Sequence, residues 1–157
     1  MSHNWEHIDL RTLPGHFARR LHQAAVALFV DEVGELALTP VQYSALQAIA
    51  AQPGIDQKTL ARSIAYDTST IAGVIDRLET RGLVLRQVAP NDRRARQLHP
   101  TEQGLATLAE VVPRMLRCQD RLVAPLSPAE REEFLRLMRV VVDAHAELSN
   151  RPARDAV

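Results

Sequence analysis

Residues 56–99 constrain the fold more than any other stretch. Asp56 can cap a short helix that runs to Ile64, with Leu60, Ala61 and Ile64 facing inward. A four-residue break follows, Ala65-Tyr66-Asp67-Thr68. A longer helix then covers about 68–81, and Ile71, Val74, Ile75 and Leu78 form its apolar stripe. Gly82 stands where a left-handed helix cap is expected. After Gly82 the helical period stops. Leu83-Val84-Leu85-Arg86-Gln87-Val88 is a short β-compatible run, Pro90-Asn91-Asp92 signals a turn, and Arg94 to His99 can return as a second strand.

Short helix, tight break, second helix and hairpin make the layout of a winged helix-turn-helix. A helix that enters a DNA major groove, about 12 Å wide, must be slim and polar on its outer side. Between its inward residues the second helix offers Thr68, Ser69, Thr70, Gly73, Asp76 and Arg77. The small hydroxyl residues sit at its N-terminal end, where free backbone N–H groups favour phosphate. Arg77 and Arg81, near the other end, are expected to reach flanking phosphates. The hairpin tip, Asn91-Asp92-Arg93-Arg94, is a cationic finger suited to a narrow minor groove. Charge distribution agrees. The chain carries 19 basic and 19 acidic groups, yet residues 58–96 hold eight basic against four acidic side chains. A local basic segment on a neutral protein points to a defined anionic partner surface.

The flanks read as helix. Leu13, Phe17, Leu21, Ala24 and Leu28 recur at helical spacing over 13–33. Thr39-Pro40 supplies a cap and a first-turn proline for a helix to about Gln52, with Val41, Leu46, Ile49 and Ala50 inward and Pro53-Gly54 as its stop. Thr101 restarts helix to about Val123, with Leu105, Leu108, Val112, Met115 and Leu122 as the expected inner stripe. Pro113 is expected to kink that helix or end it early. Ser127-Pro128-Ala129-Glu130 is a capping box for a last helix to about Ser149, on which Phe134, Leu137, Met138, Val141, His145 and Leu148 share a face. The expected class is therefore mainly α: six helices plus a two-stranded wing.

Composition excludes several alternatives. With 157 residues, 46% of them hydrophobic, the chain can bury one domain's core. One cysteine cannot build a disulfide framework or a cysteine-rich zinc site. No apolar run approaches the roughly 20 residues of a membrane span. No secretion signal is visible at the N-terminus, so a cytoplasmic protein is expected. There is no glycine-rich phosphate loop, nucleophile elbow or metal-pair motif, so no enzyme is expected, and no cofactor.

These residues resemble the MarR family of bacterial transcription regulators. The likeness runs through 38–104: L-T-P-V-Q-Y, G-I-D-Q-K-T-L-A-R-S-I, T-S-T-I-A-G-V-I-D-R-L-E-T-R-G-L-V and D-R-R-A-R-Q-L-H-P-T-E-Q-G. Asp92, Arg94, Leu98, Thr101 and Gly104 occupy the positions of the family's wing signature. Pro100 replaces the usual aliphatic residue there, and a shortened second wing strand is expected. The resemblance implies one domain over 1–157, with dimerisation helices in 1–36 and 105–150, a DNA-binding lobe in 38–104 and a frayed tail at 151–157. It implies a homodimeric repressor on palindromic operator DNA. Thr68, Ser69, Thr70, Gly73 and Arg77 would contact the major groove and phosphates. Arg94 would enter the minor groove, braced by Asp92, while Arg93 and Arg96 would add phosphate contacts. Leu10, Leu13, Phe17, Phe134, Met138 and Val141 would form the core of the dimer surface. It also implies release by a small aromatic acid, with His16, Arg19, Arg20, Gln42 and Tyr43 as the polar residues of the pocket. The stretch is similar to regulators of nicotinate and other aromatic-acid catabolism.

Other roles stay open at this level. A helical dimer could use a winged scaffold as a protein adaptor, although outward arginines at 77 and 94 suit DNA better. Some MarR-type proteins sense metal, but His3, His7, His16 and His22 are dispersed, and no metal site is assigned. Others sense oxidants through cysteine. Cys118 has apolar neighbours along its helix and reads as a buried structural thiol.

Overall fold

A computed structural model of the chain describes residues 8–89 and 92–146, with only the backbone path given for 92–95. Six α-helices and one antiparallel hairpin follow in order. They are α1 (Pro14–Val33), α2 (Pro40–Ala51), α3 (Gln57–Ser63), α4 (Thr68–Thr80), β1 (Val84–Ala89), β2 (Asp92–Pro100), α5 (Glu102–Val123) and α6 (Pro128–Ala144). The mainly helical, winged helix-turn-helix architecture expected from the sequence is what forms. The expected turn at Pro90 and Asn91, Leu148 and the tail after Asn150 lie outside the described residues.

Polar caps decide where the helices start. Thr39 accepts from the Gln42 N–H, and the Gln42 Oε1 accepts from the Thr39 N–H at 3.1 Å, which closes a capping box. Asp56 accepts from the Thr59 N–H at 2.9 Å, Asp67 from Thr70 at 2.8 Å and Thr101 from Gly104 at 2.9 Å. Ser127 and Glu130 form a second capping box. Each bond satisfies an amide that the helix itself cannot.

The core lies under the wing. Leu46, Ile49, Leu60, Ile71, Ile75, Leu78, Leu83 and Leu98 are fully buried together, contributed by α2, α3, α4, the residue just ahead of β1, and β2. Leu98 also stitches β2 to the loop after α2: its carbonyl accepts from Gly54 at 2.8 Å and its N–H donates to Ile55 at 3.0 Å. On the other side α1 packs on α5 through Phe29, Val33, Val111 and Cys118. Arg121 pairs there with Asp31 and Glu32, Arg117 with Glu32 at 3.1 Å and Arg114 with Glu35 at 3.2 Å. The Arg121 guanidinium holds the Glu32 carboxyl below its ordinary range. Such surface pairs add little stability but tie the end of α1 to α5.

Several expectations need correction. The inner face of α5 is Gly104, Leu108, Val111, Met115 and Cys118, while Leu105 is 49% exposed. Gly104 sets this register, because a Cβ there would lie 2.1 Å from the Leu83 carbonyl oxygen. Pro113 neither ends nor interrupts α5. It sits on the exposed side, where the hydrogen bond it cannot donate is lost to solvent. Pro100 does not shorten β2: it pairs with Val84 at the strand's last position, where a missing N–H costs nothing in the ladder. Asp92 opens β2 opposite Ala89, after a bulge between Val88 and Ala89, rather than lying in the turn. In α2 the buried face is turned to Gln42, Ala45, Leu46 and Ile49, leaving Val41 and Ala50 half-buried. On α1 the buried residues are Phe29 and Val33, neither in the expected stripe, of which Leu21 and Leu28 are half-buried and Phe17 is 60% exposed.

Candidate nucleic-acid interface and effector pocket

The two faces of α4 differ sharply. Ile71, Val74, Ile75 and Leu78 are buried, and Thr68, Ser69, Thr70, Asp76 and Arg77 are exposed. Gly73 is half-buried, and a Cβ there would meet nothing within 4 Å. Gln57 ties α3 to α4 by donating to the Thr68 carbonyl at 3.2 Å. Asp67 is a residue that the sequence reading placed only in the break. It accepts the hydroxyl protons of both Ser69 and Thr70. Those two hydroxyls, helped by the Thr70 N–H, hold its carboxyl far below the carboxylate range. A hydroxyl has one proton to donate. With both protons engaged by Asp67, Ser69 and Thr70 keep acceptor lone pairs for an incoming donor. The pattern that signals this is an Asp two and three residues ahead of hydroxyl side chains at a helix start.

Charges around α4 are sorted. Arg86 of β1 donates to Glu79 at 2.6 Å and to Asp76, so both acids on α4 are paired with one guanidinium of the neighbouring strand. The Arg77 guanidinium makes no hydrogen bond or ion pair among the described residues. Arg81 does not point toward an outside phosphate, as the sequence suggested. It reaches back to the Ala37 carbonyl at 2.7 Å and the Leu36 carbonyl at 3.1 Å. Those two oxygens at the end of α1 supply the acceptors that a solvated arginine would seek in DNA. In the wing, the backbone of Asp92, Arg93 and Arg94 runs in β2, and their side chains, and with them the expected pairing of Asp92 with Arg94, lie outside what is described. Arg96 is exposed opposite Val88.

Among the described residues, three of the five expected pocket residues, Arg20, Tyr43 and Gln42, line three different cavities. His16 is half-buried with its ring edge-on to Phe17, and Arg19 is exposed. Arg20 lies on the rim of an apolar groove of about 790 Å³ between α1 and α6. Tyr43 is half-buried against the Phe29 ring at 6.0 Å, and burial pushes its phenol up. It lines a second cavity, about 560 Å³, with Ser44, Gln47, Ser63 and Ile64. Gln42 is only 7% exposed and its carbonyl oxygen is spent in the capping box, so only its amide protons remain for a ligand. It borders a third hollow, about 310 Å³, with Ala37, Arg77 and Arg81.

The apolar groove is the largest of the three. Phe17 and Leu21 of α1 face Phe134, Met138 and Val141 of α6 across it. No residue of α6 is buried, and Val141 is 61% exposed. Leu10 and Leu13, just ahead, are exposed as well. A contiguous apolar surface of this kind calls for a partner. Among the described residues no three of His, Cys, Asp and Glu gather to hold a metal, and no helix is long and apolar enough to cross a membrane. Cys118 is 1% exposed, and burial, followed by the nearby Glu32 charge, pushes its thiol up.

Comparison with known proteins agrees with this geometry. Residues 38–95 match the MarR family. The transcriptional repressor NicR of Pseudomonas putida is 30% identical over 136 residues, 87% of this chain and 86% of that protein. Among solved structures, the PcaV transcriptional regulator of Streptomyces coelicolor in complex with its natural ligand is 41% identical. That likeness covers 87% of this chain and 96% of PcaV, with a TM-score of 0.81. BpsR of Bordetella bronchiseptica, whose DNA binding is regulated by 6-hydroxynicotinic acid, is 31% identical. It covers 87% of this chain and 97% of BpsR at a TM-score of 0.83. The chain belongs to the MarR family of winged helix-turn-helix transcriptional regulators.

Proposed function

We propose that this regulator is a homodimeric repressor, acting in the cytoplasm on palindromic operator DNA and released by a small aromatic carboxylate. The observation that carries the DNA reading is α4. Its inner stripe is sealed in the core, its two acids are both paired with Arg86, and its outer side presents small hydroxyls and a free Arg77. Thr68, Ser69, Thr70 and Gly73 meet base edges, and Arg77 meets phosphate. Arg94 enters the minor groove with Asp92 bracing it, and Arg93 and Arg96 add phosphate contacts. A second copy covers the groove between α1 and α6, placing two α4 helices about 34 Å apart, one turn of the duplex.

The effector reading joins residues that lie apart in one protomer: His16, Arg19 and Arg20 on α1 and Tyr43 on α2 would line a space shared by two protomers. The amide of Gln42 lies at its edge. Arg or His suits a carboxylate, and Tyr43 with its apolar surround suits a ring. NicR is a repressor, and 6-hydroxynicotinic acid regulates the DNA binding of BpsR. Those relatives favour an aromatic acid, including nicotinate-like ones, as the class of signal.

The test selects duplexes from a randomised pool and titrates the selected sequence by fluorescence anisotropy. The expected result is tight, sequence-dependent binding that weakens steeply with salt, loss of that binding in Arg94→Ala with the dimer intact, and monomers from Val141→Asp. Addition of benzoate, 4-hydroxybenzoate or 6-hydroxynicotinate is expected to release the duplex. Binding that ignores sequence and salt would point to a protein adaptor instead. Failure of every aromatic acid to release DNA would remove the effector reading.

A further inference from the structure

We propose that Arg81 is a positioning residue: it fixes the tilt of α4 against the α1–α5 scaffold and so sets the half-site spacing the dimer accepts. This rests on the DNA-reading role proposed for α4. Arg81 is the C-cap of α4, at the end remote from Thr68. Its guanidinium donates through Nη1 to the Ala37 carbonyl at 2.7 Å and through Nη2 to the Leu36 carbonyl at 3.1 Å. A planar fork that meets two successive carbonyls fixes direction as well as distance.

What Arg81 grips is itself rigid. Ala37 has a left-handed backbone, φ 53°, unfavourable for a residue with a Cβ and kept only where neighbours hold it. It follows Val33, which is fully buried, and the last turn of α1, whose Glu32 pairs with Arg117 and Arg121 of α5. Glu35, in the short turn between, pairs with Arg114. Leu36 and Ala37 are thus the terminus of a clasped two-helix unit, the same unit whose α1 carries the apolar groove.

The rest of α4 is held by apolar contact with α2, α3 and β1, and by two polar ties inside the DNA-binding lobe, Arg86 on Asp76 and Glu79 and Gln57 on the Thr68 carbonyl. The Arg81 fork is the tie that reaches the segment continuous with α1. Apolar burial is non-directional and tolerates small rotations. A forked bond at one end does not, and the helix multiplies any error there. From Arg81 to Thr68 α4 rises roughly 18–20 Å, so a tilt of about 5° would move the reading end by roughly 1.6 Å. In a dimer the two displacements combine, whereas one half-site can follow a single tilted helix freely. The fork is therefore a device for spacing rather than for base or phosphate contact.

The experiment uses the full chain and the duplex selected from a randomised pool by the wild type. Arg81→Ala and Arg81→Lys are titrated against one half-site, against the full site, and against full sites whose halves are separated by one or two base pairs more or fewer. In Arg81→Ala half-site affinity is expected within twofold of wild type. Full-site affinity is expected to fall at least tenfold, the spacing profile to broaden, and the salt dependence to keep its slope. Lysine cannot reach both carbonyls in one plane, so Arg81→Lys is expected to recover less than half of the loss; it also carries the test if the alanine variant does not fold. Equal loss on half and full sites, with a salt slope lower by about one, would identify Arg81 as a phosphate contact and overturn the proposal. An unchanged spacing profile would overturn it too. A wild-type chain that selects no sequence would instead defeat the DNA reading itself.

Discussion

Gly104→Ala tests the packing between wing and α5 most directly. In a helix the change to alanine is ordinarily favourable by about 1 kcal/mol. Here the new Cβ would stand 2.1 Å from the Leu83 carbonyl oxygen, 3.1 Å from its carbon and 3.3 Å from a Leu46 methyl. Ordinary contact needs roughly 3.5 Å, so α5 and the start of β1 must part by more than about 1 Å. The oxygen is not free to move. It accepts from the Thr101 N–H at 3.1 Å, and the Thr101 hydroxyl is bonded to the Gly82 carbonyl at 2.6 Å. Overpacking of this kind costs about 1–3 kcal/mol, and a weakened backbone bond adds about 1 kcal/mol. Set against the helix gain, the net loss is about 3 kcal/mol at the upper end. For a chain of this size that lowers Tm by roughly 6–12 °C. The measurement is thermal unfolding at fixed protein concentration, with Gly73→Ala as control because a Cβ there meets nothing within 4 Å. A Gly104→Ala protein as stable as wild type would refute the claim that this contact fixes the register of α5.

Gly73→Ala itself should raise stability by about 0.5–1 kcal/mol yet weaken duplex binding at least tenfold, if the outer side of α4 approaches base edges closely; unchanged anisotropy titrations would move the contact elsewhere. Cys118, buried with its thiol pushed up, should react with a thiol reagent at neutral pH far more slowly than in denaturant, and peroxide should leave DNA affinity unchanged. Rapid labelling of the native protein would contradict that. Asp67 has a depressed carboxyl in the folded chain. Its contribution to stability is therefore complete above its unfolded pKa, about 3.9, and is lost as pH falls below that toward the folded value. Asp67→Asn should flatten the acid limb of a Tm–pH curve between pH 5 and 2, and parallel curves would show that the hydroxyl bonds do not matter.

Sequence periodicity and caps located the six α-helices because each signal is local, and missed the short 3-10 turns at Leu10–Thr12 and Gly34–Leu36. Asp56, Gly82, Thr101 and the box at Ser127 act within four residues of where they stand. The inward face of α5 was not legible, since stripes from Leu105 and from Gly104 differ by one residue and the deciding residue has no side chain. Only the approach of Leu83, distant along the chain, makes Gly104 the inner position. Arg81 was misread for a related reason. A charge near a recognition helix suggests phosphate, and its partners at Ala37 and Leu36 lie 44 and 45 residues away. Gln42 looked like a pocket donor because its side chain is polar, whereas half of its amide serves a backbone N–H three residues back. The roles of Thr68, Ser69 and Thr70 were read from type alone. That Asp67 takes two of their protons follows only from geometry.

The nakedness of α6 has a consequence for how much of this protein a cell must hold. The helix has 17 residues and buries none of them. Its own protomer gives it a capping box and the bond from Arg131 to Leu126. A lone helix of that length is marginal in water. Dilution should therefore unwind the C-terminal segment while the wing and its core stay folded, exposing it to proteases. On the proposed dimer, the last helix is the segment whose folding would track protein concentration, and limited proteolysis across a dilution series would read it.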